Sequence, residues 1–168
     1  LKQLKVFMAA FEKYDKSVVT SEIQKEIADR LHEELDYARE ARVQKMYGHI
    51  LKDEKGVRVA KVFDALSTDR LLTSEWLDGA PILDFKNAKA ETRNKIAYNL
   101  FRGWYIPLYF YGIIHGDPHL GNYTVAKDNG INLLDFGCMR VFPPAFVEGV
   151  ITLYRALQSE DRDMAVAA

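Results

Sequence analysis

Residues 115–137 read HGDPHLGNYTVAKDNGINLLDFG, and they bring His115, Asp117, His119, Asn122 and Asp135 into one short span. Two short apolar runs, Tyr123 to Val125 and Ile131 to Leu134, flank the turn residues Asp128-Asn129-Gly130. Asn-Gly between such runs is a hairpin signal. The spacing therefore predicts a loop, a β-hairpin and a second loop, with the hairpin returning Asp135 towards Asn122. His115, Asp117 and His119 alternate, so in extended backbone they would point the same way. Imidazole with carboxylate suits a transition metal. A complete cage needs further ligands, however, and only His32 and His49 remain, both in stretches that read as helix surface. The plainest reading is that Asp, Asn and Gly merely build turns.

Phosphoryl transfer uses more of the stretch. It needs a carboxylate beside the attacking nucleophile and oxygen ligands for Mg²⁺ on the phosphates. Kinase-type sites supply these as H-x-D-x-x-x-x-N in one loop and Asp-Phe-Gly after a short strand. His115, Asp117 and Asn122 fit the first pattern, and Asp135-Phe136-Gly137 fits the second. Asp-Phe-Gly alone arises often by chance. Both motifs, in order and joined by a hairpin, outweigh the metal-cage and turn-only readings.

The rest of the chain agrees with a globular enzyme-like domain. Hydrophobic residues make up 48% and charged residues 28% of the 168 positions, ordinary values for a packed core. The net charge of −1 gives no field for nucleic acid, and the Lys and Arg of residues 39–61 are interleaved with Glu and Asp. No nucleic-acid partner is expected. A single cysteine, Cys138, excludes an internal disulfide and a multi-cysteine zinc site, and fits a reducing compartment. There is no apolar run of about 18 residues, so no transmembrane helix is expected. Leu1 runs straight into helical spacing and Ala168 ends inside another helical stretch. Both ends read as cut.

Along the chain, helical spacing covers residues 1–14. Ser21 with Gln24 forms a capping box, from which an apolar stripe (Ile23, Ile27, Leu31, Leu35, Ala38) predicts a helix to about Leu51. VRVAKVFDAL (57–66) and RLLTSEWL (70–77) read as strands around a turn at 67–69. A strongly apolar helix is expected from Glu91 to about Gly112, with a kink near Pro107. The hairpin follows, then a helix after Pro143-Pro144. The order suits an α+β domain with a mostly helical lobe rather than a doubly wound sheet.

HGDPHLGN with LLDFG resembles the catalytic and metal-binding loops of the UbiB/AarF/ADCK atypical kinases, a protein-kinase-like family tied to ubiquinone biosynthesis. EELDYAREA (33–41) is similar to that family's E-x-D helix, and LLTSEWLDG (71–79) to the strand entering the hinge. The resemblance implies a protein-kinase-like fold. Residues 1–79 would be the rear of the nucleotide lobe and residues 80–168 the helical lobe. It implies ATP and Mg²⁺ as cofactors. Asp117 and His119 would serve catalysis, Asn122 and Asp135 the metal, and Glu40 a nucleotide-binding lysine. Glu34 and Asp36 would form the E-x-D pair, and Glu75 and Leu77 would hold the adenine through their backbone, with Ser74 behind it. His119 is shared with aminoglycoside- and choline-kinase-like enzymes, which makes a small-molecule phosphotransferase the alternative. A non-catalytic nucleotide-binding scaffold is the other.

Two departures shape the expectation. Gly137 leads through CMRVFPP straight to helix, without an Ala-Pro-Glu segment, so a peptide-docking platform is not expected. The phosphate-covering loop, the K-x-G-Q segment and the ATP lysine are also missing. Lys61 mimics the V-A-I-K strand but follows Glu40, the reverse of the kinase order. The missing parts are expected upstream of Leu1, leaving the chain inactive alone. The implied partners are nucleotide, a lipid-like or quinone-precursor substrate and a membrane-associated biosynthetic complex. The implied location is cytoplasmic or peripheral at an inner membrane.

Overall fold

A computed structural model describes residues 22–23, 25–29 and 35–167. The predicted helix over 1–14, the Ser21–Gln24 capping box, Leu31 and Glu34 lie outside the described residues. Residues 25–29 are helical, but the chain leaves helical geometry at Leu35 and Asp36. Helix α1 (Tyr37–Ile50) starts afresh, with Asp36 as its N-cap accepting the Arg39 N–H at 2.8 Å. An aspartate at the head of a turn competes for free backbone donors, and this interrupts the predicted continuous stripe. Asp36 caps the helix and Glu40 lies in its first turn.

Strands β1 (Val57–Val59), β2 (Ala80–Pro81), β4 (Tyr123–Val125) and β5 (Ile131–Leu133) form a four-stranded sheet in the order β1-β5-β4-β2. The predicted hairpin is present, with Tyr123 opposite Leu133 and Val125 opposite Ile131. β1 joins it in parallel, Val57 opposite Ile131, so the sheet draws strands from both sides of residue 79. β3 (Ile113–His115) pairs with β6 (Met139–Val141), one on either side of the hairpin in sequence.

The long strands predicted over 57–66 and 70–77 are much shorter. After β1 the only pairing between them centres on Val62 and Ser74, with Phe63 N–H on Thr73 O and Glu75 N–H on Lys61 O. Residues Asp64–Leu66 wind into a 3-10 turn. Ser67 and Thr73 side chains bond to nearby backbone there, offering the chain a turn in place of a ladder.

Helix α2 (Ala90–Tyr111) matches the predicted span and continues through Pro107. It stops at Gly112, whose φ of 67° is left-handed and whose added Cβ would lie 2.7 Å from the Phe142 carbonyl oxygen. Helices α3 (Pro144–Gln158) and α4 (Arg162–Ala167) follow. The core gathers Tyr47 of α1 and Leu51 just past its end, Ile96 of α2, Tyr123, Val125, Ile131 and Leu133 of the hairpin, and Phe136 just beyond it. The hairpin thus stands in the core while both loops at its base reach the surface. No helix among the described residues is long and apolar enough to cross a membrane.

Candidate functional site

The loop after β3 is organised by its first histidine. His115 is buried, and its Nδ1 accepts the Asp117 N–H at 3.1 Å while Nε2 lies 2.9 Å from the Asp135 carbonyl oxygen. A ring nitrogen that accepts an N–H carries no proton, so the proton sits on Nε2 and is donated to Asp135 O. One neutral imidazole thereby ties the two loops together. Trp104 stacks beside it at 6.0 Å between ring centroids, and the Trp104 indole N–H donates to Tyr123 Oη at 3.0 Å. Burial pushes the Tyr123 phenol up to about 12.

Asp117 is held at both oxygens. Oδ1 accepts the His119 N–H and Oδ2 accepts from Asn122 Nδ2, each at 3.1 Å. His119 folds back so that its Nδ1 accepts the Gly121 N–H at 3.1 Å, which leaves the proton on Nε2 as a free donor. A Cβ at position 121 would meet the His119 ring at 2.9 Å, so a larger residue there would push this ring out of its present place. His115 is thus spent on the two loops and His119 on its own loop. Among the described residues no cluster of three or more His, Cys, Asp or Glu side chains could hold a metal ion, which removes the His-Asp-His cage.

The hairpin brings the second loop back. Leu134 N–H donates to the Asn122 carbonyl at 3.1 Å, and Asp135 Oδ1 accepts the Gly137 N–H at 2.8 Å. Asn122 points its Nδ2 at Asp117, so its Oδ1 is turned away from that carboxylate. Among the described residues, neither Asn122 Oδ1 nor Asp135 Oδ2 receives a donor. One carboxamide oxygen and one carboxylate oxygen are the protein share that Mg²⁺ takes when phosphates supply the rest.

Helix α1 closes the site from behind. The Glu40 carboxyl lies partly buried near Asp135 and the Phe136 backbone, and its pKa is raised, first by burial and then by the Asp135 charge. No cation among the described residues pairs with Glu40. Two carboxylates facing each other make a place that favours a cation. The sequence reading did not single out Arg39, whose Nη1 donates to the Gly137 carbonyl at 2.8 Å. Its adjacency to Glu40 was the available signal.

A measurable pH dependence follows. A raised carboxylate pKa in the folded state adds stability that is complete below the ordinary value of 4.5 and is lost as pH rises through the raised value. For this chain, Glu40→Gln keeps the size and shape of the side chain and removes the charge. Its melting temperature is expected to equal or exceed the parent's at pH 7 and to fall below that advantage near pH 4. Glu40 is half-exposed, so the gain is under about 1 kcal/mol. A Gln variant clearly less stable than the parent at pH 7 would contradict the repulsion.

The segment 71–79 approaches through its end. Asn132 Nδ2 donates to Asp78 O at 3.1 Å and to Thr124 Oγ1 at 2.9 Å, and Ala80 pairs with Val125. Glu75 spends its N–H on Lys61 O; among the described residues its carbonyl and the Leu77 N–H carry no bond. Ser74 is exposed and paired with Val62. Trp76 is 85% exposed, its indole N–H on Asp78. Lys61 is exposed and engages Glu75 through backbone.

The family model described as the ABC1 atypical kinase-like domain matches residues 1–168. The mitochondrial atypical kinase COQ8B of Danio rerio is 34% identical over 130 residues, covering 77% of this chain and 21% of that protein. The mitochondrial atypical kinase COQ8 of Saccharomyces cerevisiae is 32% identical over 115 residues, covering 68% and 23%. The matched part of the chain thus spans less than a quarter of these relatives. The structure of Rv3197 from Mycobacterium tuberculosis, in complex with erythromycin, superposes with a TM-score of 0.76 at 22% identity, over 98% of this chain and 43% of that one. The fold is shared.

Proposed function

This chain belongs to the ABC1 atypical kinase-like family, and on that premise we propose that its complete protein carries out Mg²⁺-dependent ATP chemistry of the UbiB type. The observation that carries the reading is the joining of the two loops. His115 and the Leu134–Asn122 bond hold Asp117, Asn122 and Asp135 in one place, with Asn122 Oδ1 and Asp135 Oδ2 left for a cation. When bound, Mg²⁺ would neutralise charge on the phosphates of ATP. Asn122 and Asp135 would hold it. Asp117, clamped at both oxygens, would orient or deprotonate the nucleophile, and His119 would offer Nε2–H to a phosphate oxygen.

The remaining residues fit around that centre. The Glu75 carbonyl and Leu77 N–H, two residues apart, suit an adenine edge that needs one acceptor and one donor. Glu40 would pair with a lysine supplied from outside the described residues, and Glu34 and Asp36 would engage the N-terminal extension. In this reading residues 1–79 are the rear of a nucleotide lobe and 80–168 the helical lobe of a protein-kinase-like fold.

The acceptor side is apolar. A cavity of about 440 Å³ between Pro81–Leu83 and the catalytic loop is lined by Ile82, Leu83, His119, Leu120 and Tyr123. Such walls suit a lipid-like or quinone-precursor substrate better than a polycationic sugar, so we favour support of isoprenoid quinone biosynthesis, at a membrane-associated complex on an inner membrane, over an aminoglycoside-kinase-like role.

The test is calorimetric titration of the complete protein with Mg-ATP, followed by phosphate release with and without prenylated phenols, choline and aminoglycosides. Binding with metal-dependent release is expected. Binding without release would favour a non-catalytic scaffold, and transfer to choline or an aminoglycoside would favour the small-molecule kinase.

A further inference from the structure

We propose that Arg39 is a positioning residue that sets the metal-binding loop from helix α1, an inference that rests on the Mg-ATP reading above. Its guanidinium Nη1 donates to the Gly137 carbonyl at 2.8 Å across 98 residues of sequence. The N–H of that same glycine donates to Asp135 Oδ1 at 2.8 Å. Arg39, Gly137 and Asp135 thus form one hydrogen-bonded chain from the helix to the carboxylate assigned to the metal.

Two features make this more than a packing contact. The bond is charge-assisted, and among the described residues the guanidinium has no carboxylate partner that would claim it instead. Among the described residues no other donor reaches the Gly137 carbonyl, so Arg39 is its one tether.

Arg39 and Glu40 both lie against the Asp-Phe-Gly segment. Arg39 holds the Gly137 carbonyl, while the Glu40 carboxyl lies near Asp135 and the Phe136 backbone. The Arg39 backbone is itself fixed, its N–H on the Asp36 cap. Asp36 thereby places the root of the side chain that tethers the loop.

The experiment uses the full-length protein and its Arg39→Ala and Arg39→Lys variants, with hydrogen exchange, Mn²⁺ binding by electron paramagnetic resonance in the presence of ATP, and thermal melting. Arg39→Ala is expected to raise exchange at the Phe136 and Gly137 amides about tenfold and to weaken Mn²⁺ by about 10–100-fold, the range for groups that orient a metal ligand. Melting should hold within a few degrees, and Arg39→Lys should recover most of the Mn²⁺ affinity. Unchanged Mn²⁺ affinity in Arg39→Ala would overturn the proposal. So would exchange rising evenly over the chain with a matching fall in melting temperature, which would mark a role in folding alone. A parent that binds no Mn-ATP would overturn the underlying reading as well; a parent that binds it while Arg39→Ala binds equally would overturn this proposal by itself.

Discussion

Asp135→Asn is expected to lower metal-dependent ATP turnover by the complete protein about a thousandfold, the scale set by removing a preorganised electrostatic group from an active site. The substitution is nearly isosteric. Its side-chain oxygen can still accept the Gly137 N–H that Asp135 Oδ1 accepts now, so the turn is kept. What is lost is the negative charge and the second oxygen, which no group among the described residues occupies. The partner carboxylate gives an independent readout. Asp135 raises the Glu40 pKa, so in Asp135→Asn the Glu40 titration should move back towards 4.5. Turnover with a phosphate-release assay and the Glu40 titration by carboxyl-resolved NMR check the two parts. Full turnover in a folded variant would show that Asp135 is no metal ligand.

The parts of this site that could be read from sequence are those whose cause is local. Asp128-Asn129-Gly130 dictates its own turn, with Asn129 at a φ of 64°, and the hairpin then follows from the alternation on either side. Gly112 likewise marks where α2 must stop. The offset from Asp117 to Asn122 is also fixed along the chain, and their side chains meet at 3.1 Å. What was not legible depends on distant pairing. Nothing in VRV says that Val57 will lie beside Ile131, and a parallel strand needs a long connection that leaves no turn signature. The restart of α1 at Asp36 was hidden by an apolar stripe that fits a helix on both sides of it. Arg39 looked like one more charge on a solvated face, and only its 98-residue reach to Gly137 distinguishes it. The segment 70–77 misled through composition, since Leu71 and Trp76 are strand-like residues yet 56% and 85% exposed.

Tyr47 tests whether helix α1 holds the metal loop by packing as well as by hydrogen bonds. It is 1% exposed, and its ring lies 5.5 Å from that of Phe136 at an interplanar angle of 59°. Burial raises its phenol pKa, and among the described residues the buried hydroxyl has no partner. These facts separate the ring from the hydroxyl. Tyr47→Ala removes an aromatic ring from the core and should cost about 3–5 kcal/mol, a large part of the roughly 5–15 kcal/mol that holds a typical domain together. Tyr47→Phe keeps the ring and deletes a buried polar group without a bond, so its stability should lie within about 1 kcal/mol of the parent or above it. Urea denaturation of the two variants measures both. Equal losses would mean that the hydroxyl is bonded and that the contact with Phe136 contributes little. A loss confined to Tyr47→Ala would show that the ring of Phe136 is seated by α1. The same helix would then hold the Asp-Phe-Gly segment at two points, through Tyr47 on the Phe136 ring and Arg39 on the carbonyl of Gly137, whose N–H donates to Asp135.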